Sequence, residues 1–160
     1  MAQQSPAARP ERQHLRRLER LYPRPPILLV TACTEARRPA LTEGGLAAEV
    51  TASLSAAARN AGWHIGRYVV MPDHVHFFAA PGGEAQPLSR LVGTWKRWTT
   101  RAAWRLGHTG RLWQREFHDH VLRSEEQYEA KWLYVVQNPV RAGLCAQADE
   151  WPHQGEFEAL

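Results

Sequence analysis

Residues 63–80, WHIGRYVVMPDHVHFFAA, decide the fold. Two apolar runs rich in β-branched and aromatic residues, Trp63–Met71 and His74–Ala80, flank Pro72-Asp73, a pair suited to a tight turn. The segment reads as two strands joined by that turn. On its N-terminal side, residues 44–60 are alanine-rich and read as a helix, with Asn60 and Gly62 as the stop signal. ARRPALT before it is loop, and ILLVTAC at 27–33 is a buried strand. On the C-terminal side, Pro81-Gly82-Gly83 ends the second run. Residues 87–106 then read as a helix, broken by Gly107 and Gly110, and EFHDHVL at 116–122 as a fourth strand. Ser124 before Glu125, Glu126 and Gln127 predicts an N-cap with an acidic first turn. The helix it opens should run to about Gln137, where Asn138-Pro139 disturbs it, and Gly143 closes the region. The order β-α-β-β-α-β plus one helix predicts an α+β, ferredoxin-like antiparallel sheet with an added C-terminal helix. One domain over 26–145 is expected, after a basic, flexible arm at 1–25 with a helical stretch near Gln13–Leu21, and before a tail at 146–160.

The 160 residues are enough to bury a core without staples. Cys33 and Cys145 have no metal-knuckle spacing and read as free thiols. No apolar stretch reaches membrane-spanning length and the first twenty residues have no signal-peptide core, so a cytoplasmic protein without membrane contact is expected. The net charge is +4, and eighteen of the twenty basic residues are arginine, the exceptions being Lys96 and Lys131. A GC-rich genome accounts for much of that preference, but not for where the charges sit. Residues 86–115 carry seven basic residues, no Asp or Glu, and Trp95, Trp98, Trp104 and Trp113. A basic stripe interleaved with aromatics is the footprint of a nucleic-acid binder. At helical spacing Leu91, Trp95, Trp98, Ala102 and Leu106 face the core, while Arg90, Arg97, Arg101 and Arg105 fall on another face. Trp104 and Trp113 are left as base-stacking candidates. Lys96, Arg97, Arg101, Arg105 and Trp113 are therefore candidate DNA contacts, joined by Arg16 and Arg17 in the arm and Arg37 and Arg38 in the first loop.

Two constellations could do chemistry. His74 and His76, at i and i+2 on a strand, present two imidazoles on one face with Val75 turned to the core, a bidentate platform for a divalent metal. By itself such a pair is more often strand surface than ligand. His118 and His120 form a second pair on a more polar strand; the firmer apolar mount favours the first, and the second can line the same groove. Tyr134 and Asn138 stand four apart and share a helix face. They fit a nucleophile with an oxygen ligand, but by themselves they read more readily as a packed tyrosine with a helix-end cap. Tyr128 lies off that face.

Together these segments resemble the single-tyrosine HUH transposases, and among them the REP-associated tyrosine transposases. YVVMPDHVHFF resembles the histidine–hydrophobic–histidine motif, LWQREFHDHVLRSEEQYEAKWLYVVQNPVRAGL the C-terminal signature of that branch, and VTACTEARRPAL its first strand and loop, together covering about 27–145. The resemblance implies that His74, His76 and Asn138 bind Mg²⁺ or Mn²⁺. It implies that Tyr134 attacks a phosphate of single-stranded DNA, forming a 5′-phosphotyrosine link and a free 3′-OH, and that a later 3′-OH attack rejoins strands. It further implies a hairpin DNA partner of the REP type, a short guide sequence read by the arm and by Arg37 and Arg38, and a monomer rather than a homodimer. The competing readings are a non-catalytic hairpin-DNA-binding protein derived from a transposase, and a replication initiator or relaxase, for whose accessory segments the chain has no room.

Overall fold

In the computed structural model, residues 25–160 are described. The helical stretch expected at Gln13–Leu21, and Arg16 and Arg17, lie outside them. Strand β1 (Ile27–Cys33), helix α1 (Leu46–Ala61), β2 (Trp63–Val70), β3 (His74–Pro81), α2 (Leu88–Arg105), β4 (His118–Leu122) and α3 (Glu125–Val136) follow the predicted order. A short α4 (Asn138–Arg141) and β5 (Gln154–Glu156) follow. The terminators behave as their residue types require. Gly62 caps α1 at φ 73°, a left-handed conformation that costs glycine little. The Ser124 side chain accepts a hydrogen bond from the Gln127 N–H at the start of α3.

The sheet is antiparallel in the order β4-β1-β3-β2-β5. The first four strands have the ferredoxin-like arrangement. The fifth is new: residues 146–160, set apart as a tail from the sequence, return to the sheet. Trp151 is buried and donates its indole N–H to the Val70 carbonyl at 3.0 Å. Beyond it β5 pairs with β2 at Arg67, Tyr68 and Val69.

Side chains alternate across β1 and β3. Val30, Ala32, Val75, Phe77 and Ala79 point into the main core, which α1 and α2 cover with Val50, Leu54, Leu91 and Trp95. The opposite face carries Leu29, Val69 and Phe78. There α3 lies with Tyr128, Trp132 and Val135 inward, and Tyr128 meets the Phe78 ring edge to face at 4.8 Å. No helix among the described residues is long and apolar enough to cross a membrane.

Candidate active site

His74 and His76 begin β3, on the face that α3 covers, and Val75 between them is fully buried on the other side. Their rings stand edge to face with centroids 4.8 Å apart. Each Nδ1 is engaged. That of His74 lies 2.7 Å from Asp73 Oδ1, and since a carboxylate only accepts, this nitrogen carries the proton. That of His76 lies 2.8 Å from the Thr31 hydroxyl across the β1–β3 ladder. Protonated at Nδ1, His74 keeps its Nε2 lone pair for a ligand, and the Thr31 hydroxyl can accept the same proton from His76, the tautomer that leaves its Nε2 lone pair too. This is the arrangement by which a carboxylate or hydroxyl partner orients a metal-binding histidine.

Both imidazoles are held neutral. Burial lowers the pKa of His74 against the opposing pull of Asp73, with Arg37 adding to the lowering. Burial, then the charges of His74, Arg37 and Arg141, push His76 down to about 3. Neutral imidazole is the form that ligates a cation. Asp73 is itself anchored: its Oδ2 pairs with Arg37 Nε at 2.9 Å, and its carbonyl accepts from the backbone N–H and the hydroxyl of buried Thr34. Ala36 and Arg37 sit at φ 53° and 54°, so two consecutive non-glycine residues adopt left-handed backbone where the arginine meets Asp73. Such backbone persists only where its surroundings enforce it.

Tyr134 and Asn138 meet at Arg141. The guanidinium lies 4.2 Å from the Tyr134 ring centroid, donates to the Tyr134 carbonyl at 2.8 Å, and donates to Asn138 Oδ1. Val135, near the end of α3, packs against Val69, the β2 partner of His76, so the helix end and the histidine pair lie on one face of the sheet. Tyr134 is 64% exposed, open to a polymeric substrate. Tyr128, by contrast, is a core residue. Among the described residues no three His, Cys, Asp or Glu side chains gather closely enough to hold a metal. A third ligand drawn from the described residues would have to be of another type, and the Asn138 amide oxygen is one candidate. Two neutral imidazoles and an amide oxygen are donor types that a divalent cation can use.

The second histidine pair shares the site's face. Directly paired residues of an antiparallel ladder point to the same side. His118 pairs with Thr31 and His120 with Leu29, two strands over from His76 with β1 between, and both are exposed.

The proposed DNA contacts divide. Trp113 is not a stacking platform: it is 3% exposed, lies 4.8 Å from the Trp95 ring, and donates to the Thr99 hydroxyl. Lys96 is committed to the carbonyls of Gln114, Arg115 and Glu116, where burial lowers its pKa. Arg37 and Arg38 are partly engaged as well, Arg37 with Asp73 and Cys33, Arg38 with the Arg111 carbonyl. Arg97, Arg101 and Arg105 are exposed on α2, on the layer opposite the histidines. Trp104 is 54% exposed.

Three functional neighbours escaped the sequence reading. Asp73 stood next to His74 and was taken only as a turn residue. Arg141 stood one turn after Asn138 and was not singled out. Thr31 is legible only once the β1–β3 register is known.

The family described as "Transposase IS200 like" matches residues 28–134. The REP-associated tyrosine transposase of Escherichia coli K12 is 28% identical over 95 residues, which are 59% of this chain and 54% of that protein, so the match spans about half of the relative's length. The solved structure of a REP-associated tyrosine transposase bound to a REP hairpin superimposes with a TM-score of 0.68 at 24% identity, covering 88% of this chain and 82% of that one. A crystal structure from Deinococcus radiodurans R1 gives a TM-score of 0.55 at 21% identity over 72% of this chain and 92% of that one. With most of its sheet and its tyrosine helix inside the matched region, this chain belongs to the IS200-like transposase family.

Proposed function

We propose that this chain is a metal-dependent single-strand DNA endonuclease and strand transferase, acting on hairpin DNA of the REP type in the cytoplasm. The observation that carries the reading is the paired Nδ1 anchoring of His74 and His76 on the sheet face that holds the tyrosine helix. A similar protein bound to a REP hairpin supports the choice of substrate.

His74, His76 and Asn138 would hold Mg²⁺ or Mn²⁺. When bound, such an ion polarises a phosphate oxygen and lowers the charge the nucleophile must meet. Asp73 and Thr31 keep the two Nε2 atoms aimed. Tyr134 Oη gives up its proton and forms a bond to phosphorus. The bond from phosphorus to the 3′ oxygen breaks, and that oxygen leaves with a proton as a 3′-OH. The 5′-phosphate stays on Tyr134. Attack by a 3′-OH reverses the exchange, restoring a phosphodiester and the tyrosine with no external energy source. The packing of α3 on its own sheet through Tyr128, Trp132 and Val135 supports the reading in which the nucleophile acts in cis and the protein as a monomer.

The test is a covalent protein–DNA adduct on a hairpin with single-stranded flanks taken from DNA beside the gene. The wild type should form it with Mn²⁺ or Mg²⁺ and not with a chelator, and Tyr134→Phe should form none. An adduct with Tyr134→Phe would refute the assignment. Hairpin retained without any adduct in either metal would leave a binding protein only.

A further inference from the structure

Arg141 has more contacts to the catalytic constellation than its exposed place on α4 requires. One guanidinium covers the Tyr134 ring, bonds the Tyr134 carbonyl, and holds the Asn138 amide oxygen. That oxygen is the one proposed above as the third ligand of a cation held by His74 and His76. A guanidinium and a divalent cation cannot both take it from the same side, because the two positive charges repel.

We propose that Arg141 is a latch on the third ligand: it withholds Asn138 from the metal until a substrate phosphate draws the guanidinium away. The inference rests on the metal site proposed above and adds a coupling between its two ligands. Arg141 is suited to the exchange. A guanidinium forms a two-pronged bond with phosphate that is stronger than its bond with a neutral amide. The Tyr134 ring it covers belongs to the residue that must meet that phosphate. Val135, near the end of α3, packs against Val69, the β2 partner of His76, which puts the helix end that Arg141 grips on the histidines' face of the sheet. The consequence is reciprocal: DNA tightens metal binding and metal tightens DNA binding, by the same factor.

The test measures Mn²⁺ affinity directly, from the spin-resonance signal of the free ion, in a Tyr134→Phe background. Phenylalanine keeps a ring under Arg141 and prevents cleavage. Without DNA, Arg141→Ala should bind Mn²⁺ about 5- to 20-fold more tightly than its parent, within the usual span of such couplings. A single-stranded oligothymidylate should tighten Mn²⁺ binding by a similar factor in the parent and not in Arg141→Ala. Asn138→Ala separates a latch from simple charge repulsion. If Arg141 acts through Asn138, removing Arg141 from an Asn138→Ala protein should gain at most about twofold, whereas independent effects would add. Equal Mn²⁺ affinity with and without Arg141, or strict additivity with Asn138→Ala, overturns the latch and leaves the metal site standing. Absence of Mn²⁺ binding in every variant overturns both.

Discussion

At the scale of single residues, the site depends on keeping two imidazoles neutral inside a basic protein. His76 shows the cost. Its pKa is pushed to about 3, chiefly by burial and then by the neighbouring His74, Arg37 and Arg141. In the unfolded chain an imidazole titrates near ~6.5. A depressed pKa contributes stability that is complete above the unfolded value and is lost as pH falls through 6.5 toward the folded value. At pH 5 the unfolded state has taken up a proton that the folded state refuses, a penalty on the order of 2 kcal/mol. His76→Gln removes that titration. Urea unfolding at pH 7 and pH 5 should therefore show the wild type losing on the order of 2 kcal/mol more than the variant. Equal losses would mean that His76 is not held out of water as its place beside Thr31 indicates. His74 adds to the wild-type loss with the same sign, but it is present in both proteins and cancels in the difference.

At the scale of elements, what could be read in the sequence followed what is periodic. Strand alternation turned Val75 inward and the two histidines outward, as the structure has them. Helical spacing placed Leu91, Trp95 and Ala102 in the core, and all three are buried. Trp98 packs against the same core while only partly buried, and the spacing failed at the end, where Leu106 falls one residue beyond α2 and is 45% exposed. Trp113 has no period to report it. It lies in the loop after α2, fixed by an isolated bridge to Thr34, a contact distant in sequence. Lys96 occupies a polar position on α2 by spacing, yet its ammonium closes the turn of loop 114–116. The two loop-side tryptophans should separate cleanly. Trp113→Ala empties a buried site and should cost about 3–5 kcal/mol, while Trp104→Ala, on the surface, should cost under about 1 kcal/mol. Chemical denaturation of the two variants checks this, and similar losses would remove Trp113 from the core.

At the scale of the whole molecule, the sheet divides the protein into two surfaces, which no single segment of sequence could reveal. Order and turn signals were enough for the four-stranded arrangement, because each strand was bounded by its own punctuation. The fifth strand was not legible. Three residues are too few to show alternation, and AQADEWPHQGEFEAL is polar except for Trp151 and a few scattered apolar residues. Nor did the chain say that the arginine-rich helix and the histidine pair would lie on opposite layers. The sequence reading ran DNA along that helix into the site. The structure interposes the sheet and the main core between Arg97, Arg101 and Arg105 and the Nε2 atoms of His74 and His76. With helix and sheet packed about 10 Å apart and the side chains reaching outward, a short strand seated at Tyr134 does not touch α2. The triple variant Arg97→Ala, Arg101→Ala, Arg105→Ala should therefore form adduct on a minimal hairpin substrate within about threefold of the wild-type rate. If these arginines bind the phosphates of a longer duplex wrapping the other layer, the salt dependence of affinity for that duplex should fall by up to about three in slope. A tenfold loss on the minimal substrate would instead require the strand to cross from one surface to the other around the β4 edge, past exposed His118 and His120.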